Sequence, residues 1–104
     1  MAKSIRIRAT VTDGDNAEVR FLLRHPMESG FRKDKAGKKI NAHYIQELKV
    51  EHKQRVLLDG KLGTSIAANP LFHLKFKGAA AGETIKISWK DSKGETRSDV
   101  ATIS

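Results

Sequence analysis

Apolar and polar residues alternate with a period of two along most of this chain, a pattern that suits strands with one dry face and one wet face and little else. Ile5, Ile7, Ala9 and Val11 interleave with Arg6, Arg8 and Thr10 until Asp13-Gly14-Asp15-Asn16 interrupts them. Val19, Phe21 and Leu23 then alternate with Glu18, Arg20 and Leu22, so a hairpin is expected across that turn. Tyr44, Gln46, Leu48 and Val50 against Ile45, Glu47, Lys49 and Glu51 predict a third strand, and Val56 and Leu58 a short fourth closed by Asp59-Gly60. Phe72, Leu74 and Phe76 mark the dry side of a fifth, and Ile85, Ile87 and Trp89 that of a sixth. Asp91-Ser92-Lys93-Gly94 turns the sixth into a seventh, from about Thr96 to Ile103.

No segment sustains a helical stripe, although Ile40 to Leu48 can be read that way and Ile66 to Asn69 has room for a single turn. Seven short strands in about 100 residues predict an all-β chain, an immunoglobulin-like antiparallel β-sandwich. A five-stranded oligonucleotide-binding barrel needs fewer strands than this. The usual immunoglobulin markers are missing, since there is no cysteine and Trp89 falls in the sixth strand. At 104 residues, without repeats or linkers, the expectation is one domain over residues 1–104. Leu, Ile, Val and Phe make up 25 residues, above the ~20% below which charged chains stay disordered.

Cysteine is absent, so disulfides, thiolate metal sites and cysteine nucleophiles are excluded. No phosphate-binding glycine loop, GxSxG elbow, HExxH or EF-hand pattern occurs, which argues against an enzyme and leaves no catalytic residue or cofactor to nominate. His25, His43, His52 and His73 match no local ligand spacing and are expected as scattered surface or loop residues, with no metal. His43 and Glu47 fall on one predicted strand face without a nucleophile beside them. No apolar stretch is long enough for a membrane span or a signal peptide.

The net charge of +8 raises the alternative of a small basic nucleic-acid-binding β-domain. Basic and acidic residues number 11 and 7 as far as His52 and 9 and 5 after it, so the charge belongs to the folded surface and not to a tail. Single-strand binders also need outward rings on which bases stack, whereas Phe21, Phe72, Phe76 and Trp89 all lie on the apolar phase of their strands. Lysines and arginines along strands also keep sheets from aggregating edge to edge.

His25 to His43 is the exception to the alternation, nineteen residues long where functionless loops seldom exceed about 12 to 15. Met27 and Phe31 are its large apolar side chains, suited either to anchoring a partner or to folding back over the end of the sandwich. Arg32, Lys33, Lys35, Lys38 and Lys39, opposed in that run only by Asp34, would speed encounters with acidic partners, or else form a solvated cluster.

The run His25-Pro26-Met27-Glu28-Ser29-Gly30-Phe31-Arg32-Lys33-Asp34, continuing through Gly37-Lys38-Lys39-Ile40 to Ala42-His43-Tyr44-Ile45, closely resembles the long loop of the SoxZ family. The resemblance extends to Asn69-Pro70, Phe76-Lys77-Gly78, Gly82, Trp89-Lys90-Asp91 and Gly94-Glu95-Thr96-Arg97. It implies an immunoglobulin-like fold and a non-catalytic subunit of the SoxYZ sulfur carrier in thiosulfate oxidation, forming a heterodimer with SoxY, which holds the sulfur substrate on a cysteine of its C-terminal arm. It further implies transient contact with other sulfur-oxidation enzymes, no nucleic acid, and a periplasmic location reached by co-export with the signal-bearing partner. Met27, Phe31, Arg32, Lys33 and Lys35 are then the candidate partner-binding residues. Without that partner, open sheet edges and an uncovered apolar surface leave the chain able to self-associate weakly.

Overall fold

The computed structural model describes residues 4–104. Seven antiparallel strands form two sheets: β1 (Arg6–Asp13), β2 (Asn16–Leu22), β3 (Ile45–His52), β4 (Arg55–Lys61), β5 (Leu71–Lys77), β6 (Thr84–Asp91) and β7 (Thr96–Thr102). One sheet has the order β1-β2-β5 and the other β4-β3-β6-β7. The fourth strand stays beside the third, where an immunoglobulin sandwich carries its C′ strand, and the all-β sandwich expected from the alternation is what forms. There is no helix among the described residues, so Ile40–Leu48 and Ile66–Asn69 are not helical.

The core lies where the dry faces meet. Val19, Phe21 and Leu23 from one sheet pack against Leu48, Val50, Ile85, Ile87 and Trp89 from the other, all essentially without solvent contact. Fully burying side chains of this size contributes about 1.5–3 kcal/mol each. Phe72 stacks on Phe21 with ring centroids 5.1 Å apart, which binds β5 to β2 on the inner face. The C-terminus closes one side, with Val11 N–H donating to Ser104 O (2.8 Å) and Ser104 N–H to Ala9 O (3.0 Å).

One expected phase is corrected. The alternation places Gln46 with Leu48 and Val50, but β3 bulges between Ile45 and Glu47 against β6, so Ile45 is buried and Gln46 is exposed. A bulge adds one residue to one strand and therefore inverts the in–out phase beyond it. The same inversion separates His43 and Glu47, which do not share a face: Glu47 is exposed, and His43 turns toward the β6–β7 turn.

Candidate functional site

The segment from His25 to His43 folds as an irregular two-legged arm. Glu28 and His43 exchange backbone hydrogen bonds of 2.7 and 2.8 Å, Ile40 N–H donates to Arg32 O (2.8 Å), and Lys33 bridges Lys39. Asp34 Oδ1 accepts the N–H groups of Ala36 and Lys38, both at 2.9 Å, and so turns the chain at the tip. Gly30 sits at φ +91°, in the left-handed region, where the backbone legs approach so closely that a Cβ would lie 3.1 Å from Ala42 Cβ. Strand periodicity is missing here because the legs have no dry face: residues 31–39 are all exposed.

Met27 and Phe31 have opposite surroundings. Met27 is 6% exposed, joins the core and receives Ile45 N–H at its Sδ (3.3 Å), so its side chain covers the end of the sandwich. Phe31 is 80% exposed, with Lys39 Nζ 6.0 Å from its ring centroid. Lys33 and Lys35 are exposed. Arg32 differs, because its guanidinium forms a two-point ion pair with Glu28 (Nε to Oε2 3.1 Å) that holds the Glu28 carboxyl below its ordinary value. The basic run is thus opposed by Glu28 as well as Asp34, a pairing that fixes Arg32 in place and leaves the lysines as the free positive charge of the tip.

At the base of the arm, its two ends meet the β6–β7 turn. His25 Nε2 lies 2.9 Å and His43 Nε2 2.7 Å from the same oxygen, Asp91 Oδ2. Asp91 Oδ1 accepts the N–H groups of Lys93 and Glu95, both at 2.9 Å. His25 also packs edge-on against His43 and Trp89, with centroids 4.4 and 5.2 Å away. Burial would raise the Asp91 carboxyl, but hydrogen bonds from both imidazoles and from the Glu95 and Lys93 backbone outweigh it and hold the group below its ordinary value. Burial pushes the His25 imidazole below its ordinary value against the pull of Asp91, and His43 adds to the lowering.

These groups are the kind that bind transition metals, and their ligand atoms lie within 4.8 Å of one another. The tautomer of His25 opposes that use. Met27 N–H donates to His25 Nδ1 (3.1 Å), so Nδ1 is the acceptor and the ring proton sits on Nε2, where it is given to Asp91. A metal on Nε2 would move that proton to Nδ1, facing the Met27 N–H. Among the described residues no nucleophile is hydrogen-bonded to either ring, and the arrangement suits a clamp that joins three distant segments.

The expectation of four scattered surface or loop histidines is therefore corrected. His25 and His52 are buried, and His25 and His43 converge because the Glu28–His43 bridge closes the arm above Asp91. His52 Nε2 lies 2.9 Å from Glu83 Oε1, and His73 alone stays on an outer strand face, 3.5 Å from Glu18. Sequence reading missed both buried histidine–carboxylate contacts. For His52 a signal existed, since it shares the inward phase of Leu48 and Val50 and an inward polar group needs a partner.

A profile of the SoxZ family, described as "Sulphur oxidation protein SoxZ", matches residues 5–102, nearly the whole chain. The chain belongs to the SoxZ family. Its role accordingly lies in the Sox system of sulfur oxidation, alongside other Sox proteins. No match is found among curated proteins.

Proposed function

We propose that the chain is the non-catalytic subunit of a sulfur carrier, pairing one-to-one with a SoxY-type subunit that holds the sulfur substrate on its own C-terminal cysteine. The SoxZ family match over residues 5–102 carries this reading. Two features support it. With no cysteine, the chain has no thiolate to bear sulfur covalently, so that task falls to a partner. The arm offers an exposed aromatic, Phe31, among free lysines on a frame pinned at its base, which is how a contact anchor is presented without a large ordering cost. Met27 is packed by its own chain, so Phe31, Lys33 and Lys35 are the arm residues assigned to contact, with Arg32 held in position by Glu28. The place of action is the periplasm, reached by co-export with the partner.

Nucleic-acid binding is the reading to test against. Among the described residues Phe31 is the one exposed Phe, Tyr or Trp ring, while Phe21 and Trp89 are buried and Tyr44, Phe72 and Phe76 pack against the core. An affinity-tagged chain co-expressed with a SoxY-type subunit is expected to retain that subunit through washes at physiological salt and to pass through immobilised single-stranded DNA. Loss of the subunit together with salt-sensitive retention on DNA would reverse the assignment.

A further inference from the structure

The two outer sheet faces handle charge differently. On β4-β3-β6-β7 the register sets opposite charges across from one another: Lys49 faces Asp59, Glu51 faces Lys86, and Glu47 lies between Lys61 and Lys90. Such cross-strand pairs stabilise a sheet. On β1-β2-β5 the register aligns Arg6 with Leu22 and Leu71, and the next outward row Arg8 with Arg20 and His73. Arg8 and Arg20 are thus directly opposed like charges, with Arg6 one pleat away. The nearest outward carboxylate, Glu18, is engaged by His73 (3.5 Å) and Lys75 (3.7 Å). Among the described residues the three arginines have no ion pair. Beside them Leu71 is 70% exposed, and together these side chains line a shallow concavity of about 520 Å³.

We infer that this face docks a partner protein whose contact surface presents an apolar side chain ringed by carboxylates, and that this partner is the carrier subunit. The inference rests on the pairing reading above. A second copy of the chain would set arginines against arginines on a molecule of net charge +8. Nucleic acid would satisfy the arginines with phosphate but leave Leu22 and Leu71 uncovered. An acid-rimmed apolar surface satisfies both and removes the Arg8–Arg20 repulsion. The location agrees: Leu22 ends β2 and Leu71 begins β5, the end of the sheet from which the arm departs. There Leu23 N–H donates to Pro70 O (3.0 Å) and His25 N–H to Asn69 Oδ1 (3.0 Å), so hydrogen bonds tie this end of the sheet to the base of the arm.

Binding kinetics between the purified chain and a SoxY-type subunit, at low and physiological salt, test this with three variants. Arg20→Glu places a carboxylate opposite Arg8 and is expected to leave the melting temperature unchanged or raised, while slowing association roughly ten-fold at low salt. Leu71→Ser is expected to speed dissociation several-fold with little effect on association. Lys86→Glu, on the other sheet, is the control and is expected to change neither rate by more than about two-fold. Wild-type binding with Arg20→Glu and Leu71→Ser kinetics indistinguishable from wild type overturns this inference alone. Failure of the wild-type chain to bind overturns the pairing reading and this inference with it.

Discussion

His25 and Asp91 are separated by 66 positions in sequence and by 2.9 Å in space, from Nε2 to Oδ2, and His43 reaches the same oxygen from the far end of the arm at 2.7 Å. One buried carboxylate therefore closes the arm onto the body of the sandwich. Removing one partner of such a buried set leaves the others desolvated and unmatched. Asp91→Ala removes the charge itself and leaves the buried His25 N–H without its acceptor, and is expected to lose about 1–3 kcal/mol of stability in urea denaturation. Amide hydrogen exchange at Glu28 and His43, whose N–H groups hold the arm closed, should accelerate well beyond exchange in β3 and β6.

Stability should fall as the solution is acidified, in two stages. His25 has a folded pKa below its ordinary 6.5, so between those two values the unfolded chain binds more protons than the folded one. Its contribution is complete above pH 6.5 and is lost as pH falls toward the lower folded value, with a slope of up to about 1.4 kcal/mol per pH unit. Asp91 and Glu83 follow in more acid solution: both are lowered, Glu83 to about 2 by hydrogen bonds from Lys53 and then His52. Their stabilisation is present above the ordinary carboxylate range and is lost as pH falls through the lowered values. Urea denaturation at pH 7.5, 6, 5 and 4 should give steadily decreasing stability. A maximum near pH 5 would contradict the assignment of His25 as a neutral, buried donor.

Gly30 is a backbone requirement of the arm. Gly30→Ala places a Cβ at a positive φ and against Ala42, and is expected to cost about 1–2 kcal/mol, read as a lowered denaturation midpoint. Gly37→Ala, also at positive φ but with nothing near its Cβ, should cost less, because only the backbone term applies.

The sandwich was legible because most strands keep a strict period of two with one dry face; Val19, Phe21, Ile85, Ile87 and Trp89 all lie where alternation puts them. The alternation breaks at Ile45, where a single bulged residue inverts the phase; its mark in the sequence is the adjacent polar pair Gln46-Glu47 between Ile45 and Leu48, which a strict period of two passes over. The arm was legible as an anomaly of length but not as a structure, because its outer part, residues 31–39, buries no side chain and is held by backbone bonds and by Asp34. The clamp was not legible: His25, His43 and Asp91 carry no spacing signal when the partners come from three separate segments. Asp91 is legible as the start of a turn, a role it fills through the Lys93 and Glu95 N–H groups.

Phe31 separates contact from stability. Its side chain is exposed, with the Lys39 ammonium 6.0 Å from the ring centroid, so Phe31→Ala should shift unfolding by no more than about 0.5 kcal/mol. Dissociation from the carrier subunit or from a downstream enzyme should accelerate. Charge reversal at Lys33 and Lys35 should instead slow association and flatten its salt dependence. Unchanged rates in both variants with every such partner would reduce the tip of the arm to a solvated loop.

The central claim is the pairing, and native mass measurement of the chain co-expressed with a SoxY-type subunit tests it most directly. The expected result is a single species with the summed mass of one copy of each subunit, stable to dilution as befits an interface burying roughly 1,200–2,000 Å². Two separate species at the masses of the individual subunits would contradict it.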